Sequence, residues 1–292
     1  MTTSPKAFSK VFPKTAQRGD GAVAIEAVPL RHPGRWVGSA VLAFLVIFLL
    51  QGWAANPRMQ WDVVGEYLFS PAVLQGLGTT LLLTVLAMAV GIAGGAVLAI
   101  LRMSSNPLLS GLSGFYIWVF RGTPLLVQLL FWYFLSAVVP KIGLGVPWGP
   151  TFFEFDTNQI ITQMTAAVLG LGLHEAAYMG EIVRAGITSV DVGQTEAAHA
   201  LGMTRFQTLR KIVLPQAMRL IIPPTGNQAV SMLKTTSLVF AIAVPELLTS
   251  IQGIYSRNFQ QVPLLTVACI WYLVATTVLN AGQYYIERRF NR

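Results

Sequence analysis

Long apolar runs alternate with short polar segments along most of the chain. A helix needs about 20 mostly apolar residues to cross a bilayer, and six runs meet this length or come close to it. They cover residues 36–53, 76–101, 108–139, 159–183, 217–239 and 263–286. The third run is interrupted by Arg-Gly-Thr-Pro at 121–124. The pattern predicts an all-α integral membrane protein with six spanning helices.

The composition supports a protein that lipid surrounds. Hydrophobic residues make up 54% of the chain and charged residues 11%, against roughly 25% charged in soluble domains. The net charge is +8, but no basic stripe is interleaved with aromatic residues, so we expect no nucleic-acid partner. Cys269 is the only cysteine and the histidines are scattered. We therefore expect neither a metal site nor a bound cofactor.

The positive charges predict the orientation. With a cytoplasmic N-terminus, all but four of the 20 lysines and arginines lie on the inner side, with Arg121 counted at the inner boundary. Arg58, Lys141 and Arg257 would lie outside, and Lys234 lies within the fifth run. Since cytoplasmic loops are enriched in Lys and Arg, we expect both termini in the cytoplasm. Arg121 itself is interpreted as an anchor for phosphate headgroups or for a helix end.

The runs divide the chain into four parts, which are a polar tail, an extra span, an outer loop and a larger membrane domain. Their boundaries are 1–35, 36–53, 54–75 and 76–290. The first run has an alternative interpretation as a signal peptide cleaved near Ala54 or Ala55. An uncleaved anchor is favoured, because the tail is long for a signal peptide and the run ends at Trp53, an interfacial residue type.

Three outer segments carry weaker predictions. The loop 54–75 contains an amphipathic stretch that is expected to lie along the membrane interface. The aromatic-rich loop 140–158 is expected to cover the outer mouth, and 245–256 to form a short outer helix. In the second run, Gly91 and Gly95 predict a face where another helix packs closely.

The segment 191–215 lies between the fourth and fifth runs, on the predicted cytoplasmic side. It is expected to form two short helices joined at Gly202, which ends the first helix in a left-handed conformation. Thr195 is expected to cap that helix, with Glu196 in its first turn. Pro215 is expected to separate the segment from the fifth span.

This segment resembles the EAA loop of bacterial ABC importer permeases. The pattern is Glu-Ala-Ala, three residues, Gly, nine residues, Ile, any residue, Leu-Pro. All seven specified positions are present, namely Glu196, Ala197, Ala198, Gly202, Ile212, Leu214 and Pro215. Similar sequence at 76–81, 120–128, 181–187 and 233–238 is typical of permeases for polar amino acids, such as histidine, glutamine, glutamate, arginine and opines.

The resemblance implies an architecture and a set of partners. Such permeases have a five-helix core, so the first span would be an added helix, and they lie in the bacterial cytoplasmic membrane. Two permease subunits pair, a dimer of ATPase subunits docks on their loops, and an extracytoplasmic binding protein delivers the substrate. The alanine-rich loop helix would fit a cleft on the ATPase, with Glu196 at its rim. The sequence has no Gly-x-x-x-x-Gly-Lys-[Ser/Thr] motif, so catalysis is assigned to the ATPase partner and not to this chain.

Polar groups inside the fourth and fifth spans are candidates for the substrate pathway, because a charge within the membrane is costly. They are His174, Glu175, Asn227, Gln228, Lys234 and Thr235. Glu175 could meet a cationic group of an amino acid, and Lys234 a carboxylate. Internal ion pairs are the alternative for both. Pro223, Pro224 and Gly226 are expected to interrupt the fifth helix near this region.

Other classes of membrane protein are less well supported. A secondary transporter or channel for small polar solutes is the alternative, although the two halves of the chain show no duplication. An intramembrane protease would need a Ser–His or paired-Asp arrangement within the spans, and the sequence offers neither. The sequence leaves open which amino acid is carried and whether the permease pairs with itself or with a related chain.

Overall fold

The computed structural model describes residues 33–145 and 151–290, and its architecture there is almost entirely helical. The helices are α1 Pro33–Ala54, α2 Trp61–Leu68, α3 Pro71–Arg102, α4 Pro107–Gly122, α5 Leu125–Tyr133, α6 Leu135–Val138, α7 Thr157–Ile160, α8 Gln163–Thr188, α9 Val192–Ala200, α10 Arg205–Thr208, α11 Leu214–Thr235, α12 Leu247–Asn258 and α13 Gln261–Phe290. Two strands, β1 Lys141–Gly145 and β2 Thr151–Asp156, form an antiparallel hairpin. Most of the predicted tail lies outside the described residues.

The chain divides into two compact units, Met1–Asn56 and Pro57–Arg292. The first contains α1, which is 22 residues long. The second contains all the other described helices and the hairpin. The predicted additional span therefore belongs to a different unit from the predicted five-helix core.

Three helices, α1, α3 and α13, are long and apolar enough to cross a membrane unaided. Two pairs of helices would add two further spans if each bent pair is counted as a single span. The first pair is α4 and α5, with an angle of 103° between them, and the second is Arg205–Ile242 and α12, with an angle of 49°. By length and composition, the described residues thus contain three to five spans, where the apolar pattern predicts six.

The helix that accounts for the difference is α8, the predicted fourth span. It has 26 residues but carries polar and charged side chains along its length. Its neighbours are α3, α4, α5 and α11, so other helices cover much of its surface. Because its polar groups are shielded from lipid by protein, α8 does not need the apolarity of an isolated span.

Close packing between α3 and α8 depends on glycine, as the spacing of Gly91 and Gly95 predicts. A Cβ atom at Gly91 would lie 2.5 Å from Cγ of Glu175, and one at Gly95 would lie 2.4 Å from Cβ of Met179. Neither position has room for a side chain. The backbones approach closely here because both glycines expose only hydrogen at the interface.

The amphipathic stretch in the first predicted outer loop forms α2, but its valines face protein. Val63 and Val64 are buried, and Val64 belongs to a hydrophobic cluster that α3, α12 and α13 also supply. The indole nitrogen of Trp271 donates to the carbonyl of Leu68 at 2.7 Å. These contacts fix α2 against α13, so its valines are not free to enter a lipid interface.

The predicted outer loop 140–158 contains a hairpin that the sequence pattern does not predict. Ile142 pairs with Phe155 and Gly143 with Glu154 in an antiparallel register. Lys141 donates to Glu154 at 2.9 Å, and this hydrogen bond raises the pKa of the lysine.

A buried carboxylate joins α3, α12 and α13 on the side of the bundle where the sequence predicts an outer helix. Glu246 is fully buried and caps α12, accepting from the backbone nitrogens of Leu248 at 3.0 Å and Thr249 at 2.8 Å. It also accepts from the hydroxyls of Thr80 at 3.3 Å and Tyr272 at 3.0 Å. One side chain therefore satisfies donors from three helices.

Replacing Glu246 with glutamine should destabilise the protein, because an amide has only one acceptor oxygen for these donors. We expect a loss of about 1.5 kcal/mol, the magnitude of a hydrogen bond to a charged group. The midpoint of thermal unfolding in detergent measures this loss. The exposed Glu66→Gln is the matched control and should leave the midpoint unchanged. Equal midpoints for wild type and Glu246→Gln would contradict the prediction.

Candidate functional site

The first helix of the 191–215 segment, α9, begins earlier than the sequence suggests. Asp191 is the N-cap, and its side chain accepts from the backbone nitrogen of Gly193 at 2.7 Å. Thr195 therefore lies inside the helix and does not cap it, and Glu196 is beyond its first turn. The prediction was wrong because aspartate is at least as good an N-cap as threonine and precedes it here.

The end of α9 is as predicted. Gly202 has a φ of +76°, a left-handed conformation that favours glycine. The backbone nitrogen of Met203 donates to the carbonyl of Ala198 at 3.1 Å. The backbone nitrogen of Gly202 donates to the carbonyl of His199 at 2.9 Å. This pair of hydrogen bonds is a Schellman motif. The turn between α9 and α10 is thus fixed by backbone geometry.

The second helix does not end at Pro215. A capping box between Thr204 and Gln207 starts α10, and a π-helical turn, Leu209–Val213, leads directly into α11. A 3₁₀ helix, Thr236–Ile242, follows α11 directly, so the helical path is continuous over Arg205–Ile242. Pro215 lies in the first turn of α11, after the wider π turn, where its missing N–H and its ring are tolerated.

The seven motif residues occupy different sides of this segment. Ala198 is buried and Ile212 is half-buried. The others are exposed, namely Glu196, Ala197, Gly202, Leu214 and Pro215. Adjacent helical residues point about 100° apart. Ala198 is therefore on the buried side of α9, which packs against α10 and the π turn, while Glu196 and Ala197 face outward.

Two of the predicted pathway residues, His174 and Glu175, lie at mid-length of α8. The ring nitrogen Nδ1 of His174 donates to Oε1 of Gln128 at 3.2 Å. Nε2 of Gln128 donates to the carbonyl of Phe120 at 3.0 Å and to Oγ1 of Thr123 at 2.8 Å. Gln128 thus links the break between α4 and α5 to α8.

The sequence interpretation did not single out Gln128. The available signal was a polar residue in the apolar helix that follows the Arg-Gly-Thr-Pro interruption. A broken helix leaves backbone carbonyls without partners, and a nearby amide is the side chain that supplies donors to them.

Glu175 is buried, with 3% of its surface exposed. Its two carboxylate oxygens accept from Nε2 of Gln228 on α11 at 3.1 and 3.3 Å. Its side chain packs over Gly91. The structure therefore brings together one predicted residue from the fourth span and one from the fifth.

The ion-pair alternative for Glu175 and Lys234 is not found. In the described ranges the ion pairs are Lys141–Glu154 and Glu181–Arg184, and neither contains Glu175 or Lys234. Lys234 is exposed in the last turn of α11. Glu175 thus has an amide as its polar partner, without a cationic side chain at ion-pair distance.

The remaining predicted residues do not join this pair. Asn227 is exposed and accepts from Nε2 of Gln283 on α13 at 3.0 Å. The hydroxyl of Thr235 donates to the carbonyl of Ser231 in its own helix at 2.9 Å. Both side chains already have protein partners away from Glu175.

The prolines of the fifth span do not interrupt it. The helix α11 runs through Pro223 and Pro224 without a break. A Cβ atom at Gly226 would lie 2.6 Å from Cδ of Gln283, and Nε2 of Gln283 donates to the carbonyl of Pro223 at 3.3 Å. Gly226 thus makes room for a side chain of α13 that supports the proline-containing turn.

Comparisons with known proteins identify the family of the chain. Residues 91–292 match the family described as binding-protein-dependent transport system inner membrane component. The chain belongs to this family. The resemblance to ABC importer permeases is confirmed, and this permease is an all-α protein of the inner membrane with several spans.

Relatives of the permease cover most of its length. It is 48% identical over 270 residues to the arginine transport system permease protein ArgU of Corynebacterium glutamicum, covering 92% of this chain and 84% of the relative. It is 34% identical over 219 residues to the glutamate/aspartate import permease protein GltK of Escherichia coli, covering 75% of this chain and 93% of the relative. A solved amino acid ABC transporter with histidines aligns with a TM-score of 0.64 and 35% identity, over 76% and 95% of the two chains.

Proposed function

We propose that this permease forms the membrane pathway of an ATP-driven importer for basic amino acids, with L-arginine as the reference substrate. Its partners are a dimer of ATPase subunits, a second permease subunit and an extracytoplasmic binding protein. Both termini are cytoplasmic. The relatives' names support an amino acid, since ArgU is an arginine permease and GltK a glutamate/aspartate permease.

The observation that carries the choice of a basic substrate is the buried carboxylate of Glu175. Its polar partner among the described residues is the neutral amide of Gln228. A carboxylate in this environment is stabilised by a cation, and a charged group inside a membrane domain marks a ligand or ion pathway. A guanidinium group offers several N–H donors that match both carboxylate oxygens.

The coupling to ATP hydrolysis is assigned to the helical elbow, which we define as residues 191–215. The Schellman motif and the capping box fix its turn, and the helix that follows continues to Ile242. Exposed Glu196 and Ala197 offer a surface for the ATPase. A stiff connection of this kind transmits a displacement at the cytoplasmic surface to the spanning part of α11, which carries Gln228.

Reconstitution in proteoliposomes tests the proposal. The permease, its ATPase and its binding protein are combined, and uptake of radiolabelled L-arginine is measured with ATP or with a nonhydrolysable analogue. We expect uptake with ATP and none with the nonhydrolysable analogue. An excess of unlabelled L-lysine should reduce the uptake of L-arginine, and an excess of L-glutamate should not. Uptake by the permease without the ATPase, driven by an ion gradient, would favour the secondary transporter.

Replacing Gly202 with valine should impair coupling, because a β-branched residue is strained at a φ of +76°. The left-handed conformation costs roughly 1–2 kcal/mol for a residue with a side chain, so we expect uptake to fall by a factor of about 5 to 30. Gly202→Asn is the matched control, since asparagine tolerates this conformation better. Uptake and copurification of the ATPase are measured together. Undiminished uptake by Gly202→Val would show that the fixed turn is not required.

A further inference from the structure

An open cavity of about 510 Å³ lies between α8 and α11, beside the cytoplasmic half of α8. Its lining includes Arg121, Tyr178, Glu181, Ser189, Leu220 and Pro224. On α8, His174, Tyr178 and Glu181 are spaced by four and three residues, so they share one face of the helix. Tyr178 is about one turn beyond Glu175 in the direction of the elbow.

Two arginines at this cavity differ in their partners. Glu181 is held by Arg184, whose Nε and Nη2 atoms donate to one carboxylate oxygen at 3.1 and 2.7 Å. The guanidinium of Arg121 lies over the ring of Tyr178, 5.1 Å from its centre, and forms no ion pair within the part of the chain that the structure describes. Glu181 thus pairs with Arg184, while Arg121 lies against an aromatic ring.

The position of Arg121 leaves its hydrogen-bonding capacity for a ligand. The cation–π contact with Tyr178 does not use the N–H donors of the guanidinium. Arg121 is exposed to the cavity. The planar guanidinium matches a carboxylate, which accepts two parallel hydrogen bonds. The cavity volume lies within the range of small-molecule sites.

We infer that Arg121, beside the Tyr178 ring, is a second subsite of the pathway that binds the α-carboxylate of the amino acid while Glu175 binds its cationic side chain. This inference rests on the proposed function. Glu175 binds the cationic side chain, and Arg121 binds the group that all amino acids share. The opposite charges of the two subsites suit the two ends of one zwitterionic substrate.

Binding measurements on the assembled transporter test this role. The complete complex without its binding protein is placed in nanodiscs, and equilibrium binding of radiolabelled L-arginine is compared with that of agmatine, which lacks the α-carboxylate. We expect Arg121→Gln to weaken L-arginine binding at least about tenfold and to leave agmatine binding unchanged. Arg121→Lys should have an intermediate effect. Arg219→Gln, an equal loss of charge outside the cavity lining, should have none.

Three other results would contradict the role of Arg121, and a fourth would contradict the proposed function as well. Equal losses for L-arginine and agmatine would assign Arg121 a structural role. A loss that appears only in nanodiscs with anionic lipid, and not in pure phosphatidylcholine, would assign it to a phosphate headgroup. If Glu175→Gln weakens L-arginine binding and Arg121→Gln does not, the second subsite alone is wrong. If the wild type binds no L-arginine, the proposed function fails as well.

Discussion

Uptake of L-arginine should fall at least about 30-fold when Glu175 is replaced by glutamine. The amide keeps the shape of the side chain and can still accept from Gln228, but it removes the negative charge that binds the cation. Loss of one partner from a buried charge pair costs roughly 2–5 kcal/mol, and each 1.4 kcal/mol is about tenfold in affinity. Initial rates of ATP-driven uptake in proteoliposomes measure the effect.

The same substitution at Glu66 is the control, because Glu66 is exposed on α2. We expect Glu66→Gln to transport at the wild-type rate. Both variants should copurify with the ATPase in normal amounts, which shows that the elbow is intact. Wild-type uptake by Glu175→Gln would remove Glu175 from the pathway and with it the argument for a basic substrate.

The second large effect is expected at Gly95, where even one methyl group should separate α3 from α8. A Cβ atom there would lie 2.4 Å from Cβ of Met179 and 2.8 Å from the backbone nitrogen of Gly180. Backbone cannot move aside as a flexible side chain can, so we expect Gly95→Ala to destabilise the protein by about 3 kcal/mol, as overpacking does. The thermal midpoint and the monodisperse yield after size-exclusion chromatography report the loss.

Gly78 provides the comparison within the same helix. A Cβ atom at Gly78 meets nothing within 4 Å, and alanine favours a helix by about 1 kcal/mol relative to glycine. Gly78→Ala should therefore be neutral or stabilising. If both substitutions behave alike, the close approach of α3 and α8 does not depend on Gly95.

Local sequence predicts some of these features well. Hydropathy finds α1, α3 and α13 because a long apolar run has few other interpretations, and the left-handed turn at Gly202 follows from one residue type. The close packing at Gly91 and Gly95 follows from their spacing alone. These features depend on residues that are near one another in the chain.

Other features depend on which helices become neighbours, and the pattern does not contain that information. The apolar pattern of α8 does not show that other helices surround it, nor does the apolar content of 54–75 show that α2 packs on α13. The contacts of Glu175 with Gln228 and of His174 with Gln128 join residues that are 53 and 46 positions apart. Pro223 and Pro224 suggest a break, but Gln283 from α13 supports the helix there.

The continuous helix over Arg205–Ile242 has a consequence for the timing of transport. Gln228 lies 23 positions beyond Arg205, which is about 35 Å at the rise of an α-helix. No loop lies between them to absorb a rotation. Under the proposed function, a turn imposed at the cytoplasmic end reaches the hydrogen bond between Gln228 and Glu175 in the same movement. Release of the cation and motion of the ATPase would then be simultaneous, without a separate intermediate between them.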